Sequence, residues 1–566
     1  MNAIRNDSFI KTLRQHPLID QRQLEALLKS TSDHYQILLR VVHHGWLPRA
    51  EAATAWADGL GVAWINLREA IFHPEIVAKI PRQFALDNLI IPIYMLGDRL
   101  SVAMADPKNE DLLKEATKVA GVAISPIFAL DDAIRDAIEI QYLSTELVEN
   151  ISEKLQAAVL PLQHEVGRKE LEAIAGDQSI VELVRSLMLL AVKEDASDIH
   201  VEPAREYLLV RFRIDGVLQE KLRFSREVLP PLVSRIKILA GMDITERRRP
   251  QDGRAVLELA NQKLVFRVST VPLIEGEKIV LRRLGQVQRR NVPQLEELYL
   301  SSRIYQQVRQ LIHTPSGAFF ITGPTGSGKT TTLFSALQRI NTPEVNIMTI
   351  EDPVEYRLAG INQLQVNPEI GVTFAAALRA ILRQDPDVLL IGEIRDLETA
   401  RISTEAALTG HLVFATLHTN DALQAVTRLV EIGVEPFLVG PSLIGVMSQR
   451  LLRRVCDKCK EEYLLTPGQM DELFEWDGME PVTFYRGKGC PACKFTGYRG
   501  RLAIFEMIIL NDRLRKLVMT NAPLPELREA AVETGYQPMR YDGIKKVLRG
   551  LTTIEEVDRV AHPDLY

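Results

Sequence analysis

The stretch GPTGSGKTT, residues 323–331, has the spacing G-x-x-x-x-G-K-[ST] and follows the apolar run GAFFIT. Gly323, Gly326 and Gly328 let successive backbone N–H groups wrap an anion, and Pro324, Thr325 and Ser327 complete the loop. The pattern TTLFSALQRI then predicts a helix whose N-terminus, at Thr330 and Thr331, faces the same anion. Lys329 offers a point charge to the outer phosphates, and the Thr330 hydroxyl can ligate Mg²⁺. The strand before and the helix after set this apart from a chance glycine-rich turn.

Phosphate chemistry also needs a metal-side acid and a group to activate water. DVLLIGEIRD is a buried-strand pattern ending at Glu393, and IMTIEDPVEY ends in Glu351, Asp352 and Glu355. In a doubly wound sheet the carboxyl ends of the strands converge on the ligand, so these acids can hold metal or orient water. A third strand pattern, GHLVFATLHTND, carries His411 before it and His418 just past it. His418 lies at the same sheet edge as the acids and is expected to contact phosphates; spacing alone says less for His411.

The four cysteines of the chain fall into two pairs, Cys456/Cys459 and Cys490/Cys493, each C-x-x-C, with 30 residues between the pairs. That pattern suits tetrahedral Zn²⁺ held by four thiolates. Such a site is closed to water, so its expected role is folding the segment rather than catalysis. The gap, with TPGQMDELFEWDG in it, predicts a helical insertion between two knuckles.

These residues need elements to hold them. The chain has 566 residues, enough for three to four domains on a rough prior. Its 46% hydrophobic and 25% charged content fits globular domains, and its net charge of −6 points to neither nucleic acid nor an anionic membrane. Few cysteines, no apolar run of membrane-span length and no signal-type start lead to a cytoplasmic expectation. Residues 1–70 read as helices. Residues 71–143 read as a small α/β unit, with a helix ending at Gly121 and another capped by Asp131 or Asp132. Residues 144–178 read as a linker. Residues 179–286 are strand-rich, with a hairpin turning at Asp215-Gly216 and Leu208, Val210, Phe212 and Ile214 on one face. Residues 287–566 alternate short apolar runs with helical patterns, the mark of a parallel sheet flanked by helices.

Taken together, GPTGSGKTT, TIEDPVEY, LRQDPDVLLIGEIRD and TGHLVFATLHTND resemble the Walker A, Asp, Walker B and His boxes of the secretion ATPase superfamily. The closest branch is the type II secretion and type IV pilus assembly ATPases. The resemblance covers about 180–566, and RLSVAMADP within 72–143 is similar to that branch's N-terminal domain. It implies a multi-domain α/β chain: a RecA-like P-loop ATPase domain, a strand-rich α/β (PAS-like) domain, small N-terminal α/β and helical domains, and a tetracysteine zinc insertion at 453–500. It also implies a homo-hexamer that hydrolyses ATP with Mg²⁺, its nucleotide sites lying between the strand-rich and RecA-like domains. Arg267 in FRVST and Arg282 in VLRRL match the family's arginine fingers. Glu355 matches the general base and Glu393 the Mg²⁺-side acid, with the reverse assignment open; His411 and His418 both match His-box positions. Arg247, Arg248 and Arg249 fall in a linker that nears the nucleotide in relatives, though a solvated basic turn is the plainer reading.

The segment ILLRVVHHGWLPRAEAATAWADGLGVAWINL resembles half of a pattern that binds cyclic di-GMP in some relatives. Gln36-Ile37-Leu38 replaces its Arg-Leu-Gly start, and no Gln lies near residue 59. The expectation is a retained fold that docks a membrane-anchored partner rather than a cyclic di-GMP site. The expected work is assembly of pilin-like subunits through an inner-membrane platform protein. Tetracysteine insertions resemble the assembly and secretion branches, whereas retraction ATPases lack them. A nucleic-acid translocase on the same core is the alternative, and a nucleotide-binding module without turnover a third. Net acidity and 6% aromatics speak against the former, and the intact acids and arginines against the latter.

Overall fold

The computed structural model describes residues 6–17, 19–143, 148, 176–260, 263–284, 292–354, 357–471, 473 and 482–561. The chain divides into two compact units, Met1–Leu284 and Gly285–Tyr566.

The first unit opens with the helices Asp7–Gln15, Gln21–Ser30, His34–His43 and Arg49–Leu60. The side chains of Asn6, Asp20 and Asp33 cap the first three by accepting backbone N–H bonds. Trp56 is fully buried, edge-on to Phe9 at 5.2 Å between ring centroids and against Phe128. Phe128 belongs to a sheet of β1 (Ile90–Leu96), β2 (Arg99–Met104) and β3 (Ala123–Phe128), so helices and sheet share apolar contacts. The helix Glu110–Ala120 makes the crossover between the parallel pair β2 and β3, and Gly121 ends it at φ 68°. The expected cap at Asp131 or Asp132 is corrected: Leu130 occupies the cap position without a side-chain bond. Both aspartates lie in the first turn, where their charge complements the helix dipole. The expected linker lies outside the described residues except for Val148 and 176–178.

Six strands follow: β4 (Asp198–Pro203), β5 (Tyr207–Ile214), β6 (Val217–Ser225), β7 (Gln251–Glu258), β8 (Lys263–Leu273) and β9 (Gly276–Leu284). They form one antiparallel sheet in the order β6-β5-β4-β9-β8-β7. Leu208, Val210, Phe212, Phe266, Val268 and Leu281 share a core with the helices Gln178–Lys193 and Leu229–Ala240. Asp215 and Gly216, both at positive φ, make the two-residue turn of the β5–β6 hairpin. The opposite face carries a row of directly facing residues, Arg254, Arg267, Arg282, Asp198 and Arg213, across β7, β8, β9, β4 and β5.

The second unit holds a seven-stranded sheet of β10 (Gly317–Thr322), β11 (Ile347–Glu351), β12 (Asn362–Gln365), β13 (Val388–Ile391), β14 (Leu412–Leu417), β15 (Leu443–Val455) and, after the small hairpin β16 (Lys460–Leu464) and β17 (Thr483–Gly487), β18 (Tyr498–Ile509). The order is β12-β11-β13-β14-β10-β15-β18, parallel as far as β15 and antiparallel between β15 and β18. The central strands are apolar on both faces because both are covered. Phe320, Leu389 and Val413 pack to one side; Phe319, Leu390 and Phe414 pack to the other. β15 and β18 stay paired out to Val455 and Tyr498, which flank the cysteine segment.

Candidate nucleotide and zinc sites

The phosphate loop leaves the carboxyl end of β10 and enters the helix Lys329–Ile340. Pro324, Thr325 and Gly326 form its exposed crown, while Ser327 and Lys329 are buried beneath. Lys329 Nζ donates to the carbonyls of Gly323 at 2.7 Å and Pro324 at 3.2 Å. Burial brings its pKa down to about 8, with the Glu393 carboxylate pulling the other way. A cation held in so dry a place gains strongly from an anion, and the Ser327 Oγ there is buried without a hydrogen-bond partner among the described residues. A phosphate chain satisfies both. The Thr330 hydroxyl makes no side-chain hydrogen bond among the described residues, which leaves it available as a hard oxygen ligand.

Glu393 follows β13 by two residues and is 13% exposed at its side chain. Its carboxylate meets Arg395 Nε at 2.7 Å and His418 Nε2 at 3.6 Å. His418 follows the carboxyl end of β14; burial and then the charge of Lys329 hold its pKa below the usual imidazole value, with Glu393 opposing. The structure thus brings Lys329, Glu393 and His418 together at the carboxyl edge of the sheet. Glu351, at the end of β11, is buried and accepts from the Thr349 hydroxyl at 2.6 Å and the Gln363 amide at 2.9 Å. Glu355 lies outside the described residues.

His411 does not join this group. It precedes Leu412, which faces Gly317 at the far end of β10, so a strand of about 20 Å separates it from the phosphate loop. Its Nδ1 lies 3.0 Å from the Ala406 carbonyl; a carbonyl only accepts, so the ring donates to the C-terminal turn of the helix Leu397–Leu408. Sequence neighbourhood groups it with His418, while strand polarity puts the two at opposite edges of the sheet.

Arg267 and Arg282 belong to the first unit. Arg282 Nε donates to the buried carboxylate of Asp198 at 2.7 Å. Arg267, exposed between Arg254 and Arg282, makes no ion pair or side-chain hydrogen bond among the described residues. Like charges directly opposite on a sheet repel; Asp198 offsets that of Arg282, and Arg254 faces Arg267 across the β7–β8 pair. Arg247, Arg248 and Arg249 follow the helix Leu229–Ala240; Glu246 accepts the backbone N–H of Arg248 at 2.7 Å, as in a solvated turn.

The four cysteines converge. Sγ separations are 3.9 Å for Cys456–Cys490, 3.7 Å for Cys459–Cys493 and 3.8 Å for Cys490–Cys493, and all four sulfurs lie within 4.8 Å of one another. A tetrahedron of Zn–S bonds near 2.3 Å has edges of about 3.8 Å. Burial works to raise the Cys493 thiol, but the N–H groups of Cys490 and Gly497 aimed at its sulfur bring it down to about 7. The helix Pro467–Asp471 starts the expected helical insertion, whose remainder lies mostly outside the described residues.

One residue escaped the motif reading. Gln449 on β15 bonds both the phosphate loop and the helix after it. Its signal in the sequence is faint, a single amide within the mostly apolar VMSQRLL.

Comparison with known proteins agrees with this geometry. Residues 173–559 match the family model described as type II/IV secretion system protein, and residues 60–148 match the MshEN domain. The type IV pilus assembly ATPase PilB of Myxococcus xanthus is 41% identical, covering 98% of this chain and 98% of its own. The type II secretion system protein E of Pectobacterium carotovorum subsp. carotovorum is 45% identical over 86% of this chain and 97% of its own. A longer relative, the type IV pilus assembly ATPase PilB of Thermus thermophilus, is 42% identical over 91% of this chain, which spans 58% of its length. With a phosphate loop, a buried lysine and an acid–histidine pair on one sheet edge, the chain belongs to the type II/IV secretion system protein family and is an ATPase of it.

Proposed function

We propose that the chain is a hexameric motor whose ATP hydrolysis drives assembly of pilin-like subunits through an inner-membrane platform protein, in type IV pilus assembly or type II secretion. The convergence of Lys329, Glu393 and His418 behind the phosphate loop carries this reading.

The loop amides and Lys329 hold the triphosphate, and Lys329 neutralises charge as it builds on the leaving phosphates. Thr330 and Glu393 would hold Mg²⁺, which would supply positive charge to offset that of the phosphates. His418 stands beside the Glu393 carboxylate, and the single N–H of its neutral ring can serve either that carboxylate or a phosphate oxygen. Glu355 is proposed as the base that orients and deprotonates water. Arg267 and Arg282 are proposed to act as arginine fingers in the hexamer, with Asp198 holding the Arg282 guanidinium; such fingers contribute about 10³–10⁵ in rate where measured. The six-stranded sheet that carries them is read as the PAS-like domain.

Cys456, Cys459, Cys490 and Cys493 would hold a structural Zn²⁺ that fixes the β16–β17 segment, and the presence of this cluster favours assembly or secretion over retraction. The N-terminal helices are proposed to dock a membrane-anchored partner in the cell's interior, beside the inner membrane. Cyclic di-GMP is not part of the proposal, since Ile37 and Leu38 of the altered motif are fully buried in the helical core. No observation favours the nucleic-acid alternative.

The test is ATP turnover by the purified full chain. Lys329→Ala should abolish phosphate release while the protein remains folded; turnover equal to wild type would overturn the site.

A further inference from the structure

We propose that Gln449 is a positioning residue of the phosphate loop, setting the direction of the backbone N–H that the loop presents to phosphate. The proposal rests on the phosphate loop being the nucleotide site.

Four observations converge on this side chain. Thr322, the last residue of β10, is paired with Ser448 of β15, so Gln449 lies beside the point where the loop begins. The Gln449 side chain is almost fully buried, and both ends of its amide are engaged. Nε2 donates to the Ser327 carbonyl at 2.7 Å. Oε1 accepts from the Thr332 hydroxyl at 2.8 Å, one turn into the following helix. The Ser327 carbonyl only accepts, so it fixes which end of the amide faces the loop, and the Thr332 hydroxyl donates to the other end.

The consequence follows from peptide geometry. Across a planar trans peptide the carbonyl of one residue and the N–H of the next point in opposite directions. Drawing the Ser327 carbonyl toward Gln449 therefore turns the Gly328 N–H away from β15 and into the concave side of the loop. Without the donor, that peptide loses its anchor and the buried carbonyl loses its partner.

The same residue explains two glycines of the motif. A Cβ on Gly323 would stand 2.4 Å from the Gln449 carbonyl oxygen, and one on Gly328 would stand 2.8 Å from Gln449 Nε2. Both glycines also have positive φ, 142° and 87°. The loop is thus pressed onto Gln449 at its first and last glycines: onto the main-chain carbonyl at Gly323 and onto the side-chain amide at Gly328.

The decisive variant is Gln449→Met, which keeps volume and removes both hydrogen bonds. The full-length protein would be titrated with a non-hydrolysable ATP analogue, and KM, kcat, thermal midpoint and zinc content measured alongside. A cradle that binds ground state and transition state alike predicts Kd and KM raised about tenfold, with kcat within about threefold and zinc unchanged. Thr332→Val should weaken binding similarly, and the double variant should be no worse than the weaker single, because the two act as one unit. Thr332→Ser keeps the donor and should keep the affinity. Unchanged Kd in folded Gln449→Met, or strictly additive losses in the double variant, overturns the proposal in favour of a packing role. If Gln449→Met does not fold, the Thr332→Val and Thr332→Ser pair decides: equal affinities overturn it. Lys329→Ala separates the two levels. Lost turnover there with full affinity in Gln449→Met refutes the positioning role alone; retained turnover refutes the site beneath it.

Discussion

Replacing one thiolate ligand, in Cys490→Ser, should release zinc and loosen the segment between β15 and β18 without unmaking the phosphate loop. Cys490 Sγ stands 3.9 Å from that of Cys456 and 3.8 Å from that of Cys493, so it is a corner of the tetrahedron rather than a bystander. Structural zinc in isolated finger peptides contributes about 10–16 kcal/mol, or about 2.5–4 kcal/mol per ligand if shared evenly over four. Loss of one ligand should then weaken zinc retention by roughly 10²–10³-fold. Competition with chelators of graded affinity reads that ratio, and elemental analysis of the untreated protein sets its baseline. The damage should stay local. Phe484 and Met470 pack in a satellite cluster with Leu452 and Val547, whereas the phosphate loop rests on the two large cores of the sheet. Limited proteolysis should therefore cut within 456–497 in the variant, while ATP-analogue affinity falls by less than about threefold. Wild-type protein without zinc, or a variant that retains it as tightly, would refute the reasoning.

Four further outcomes are expected. Burial, reinforced by the charge of Asp421, pushes the Glu506 carboxyl up from 4.5 to about 7. The folded protein then keeps a proton that the unfolded chain has released, so stability falls as pH rises through about 4.5–7, by up to about 1.4 kcal/mol per pH unit; Glu506→Gln should flatten that slope in denaturation measured across the window. His418→Asn should lower kcat by about 10–100-fold, as loss of a partner to a metal-side ligand does. His411→Asn should leave kcat within about twofold and cost about 1 kcal/mol of stability through its lost bond to Ala406; equal kinetic losses in both variants would show His411 to be a site residue after all. Gly323→Ala should give folded protein that fails to bind an ATP analogue, because its methyl group meets the Gln449 carbonyl at 2.4 Å; normal binding would mean the loop yields freely.

What could be read without coordinates was whatever chemistry writes locally. The phosphate loop declares itself because backbone wrapping, lysine and hydroxyl must come in one short run. The paired cysteines do so because each knuckle needs two ligands a turn apart. The β5–β6 hairpin was legible from Asp215-Gly216 between alternating apolar residues. Long-range relations were not. Nothing local says that β10 lies between β14 and β15, so Gln449 could not be matched with a loop so far back in the chain. His411 and His418 share one strand, and only its direction in the sheet separates the end that meets phosphate from the end that caps a helix. Asp131 or Asp132 as cap is the reading the sequence invites, because acids favour both the cap and the first turn; the helix starts at Asp131 itself, leaving Leu130 at the cap.

The pairing of Val455 with Tyr498 has a consequence for the history of the chain. The cysteine segment leaves and re-enters the core at two residues that face each other across neighbouring strands. To the sheet it is the turn of one long hairpin, whatever its contents. Closing a longer loop costs only about 0.6 kcal/mol per doubling of length. Such a segment can be acquired, enlarged or shed in evolution, or replaced by a short turn in the laboratory, without shifting the register of a single core strand.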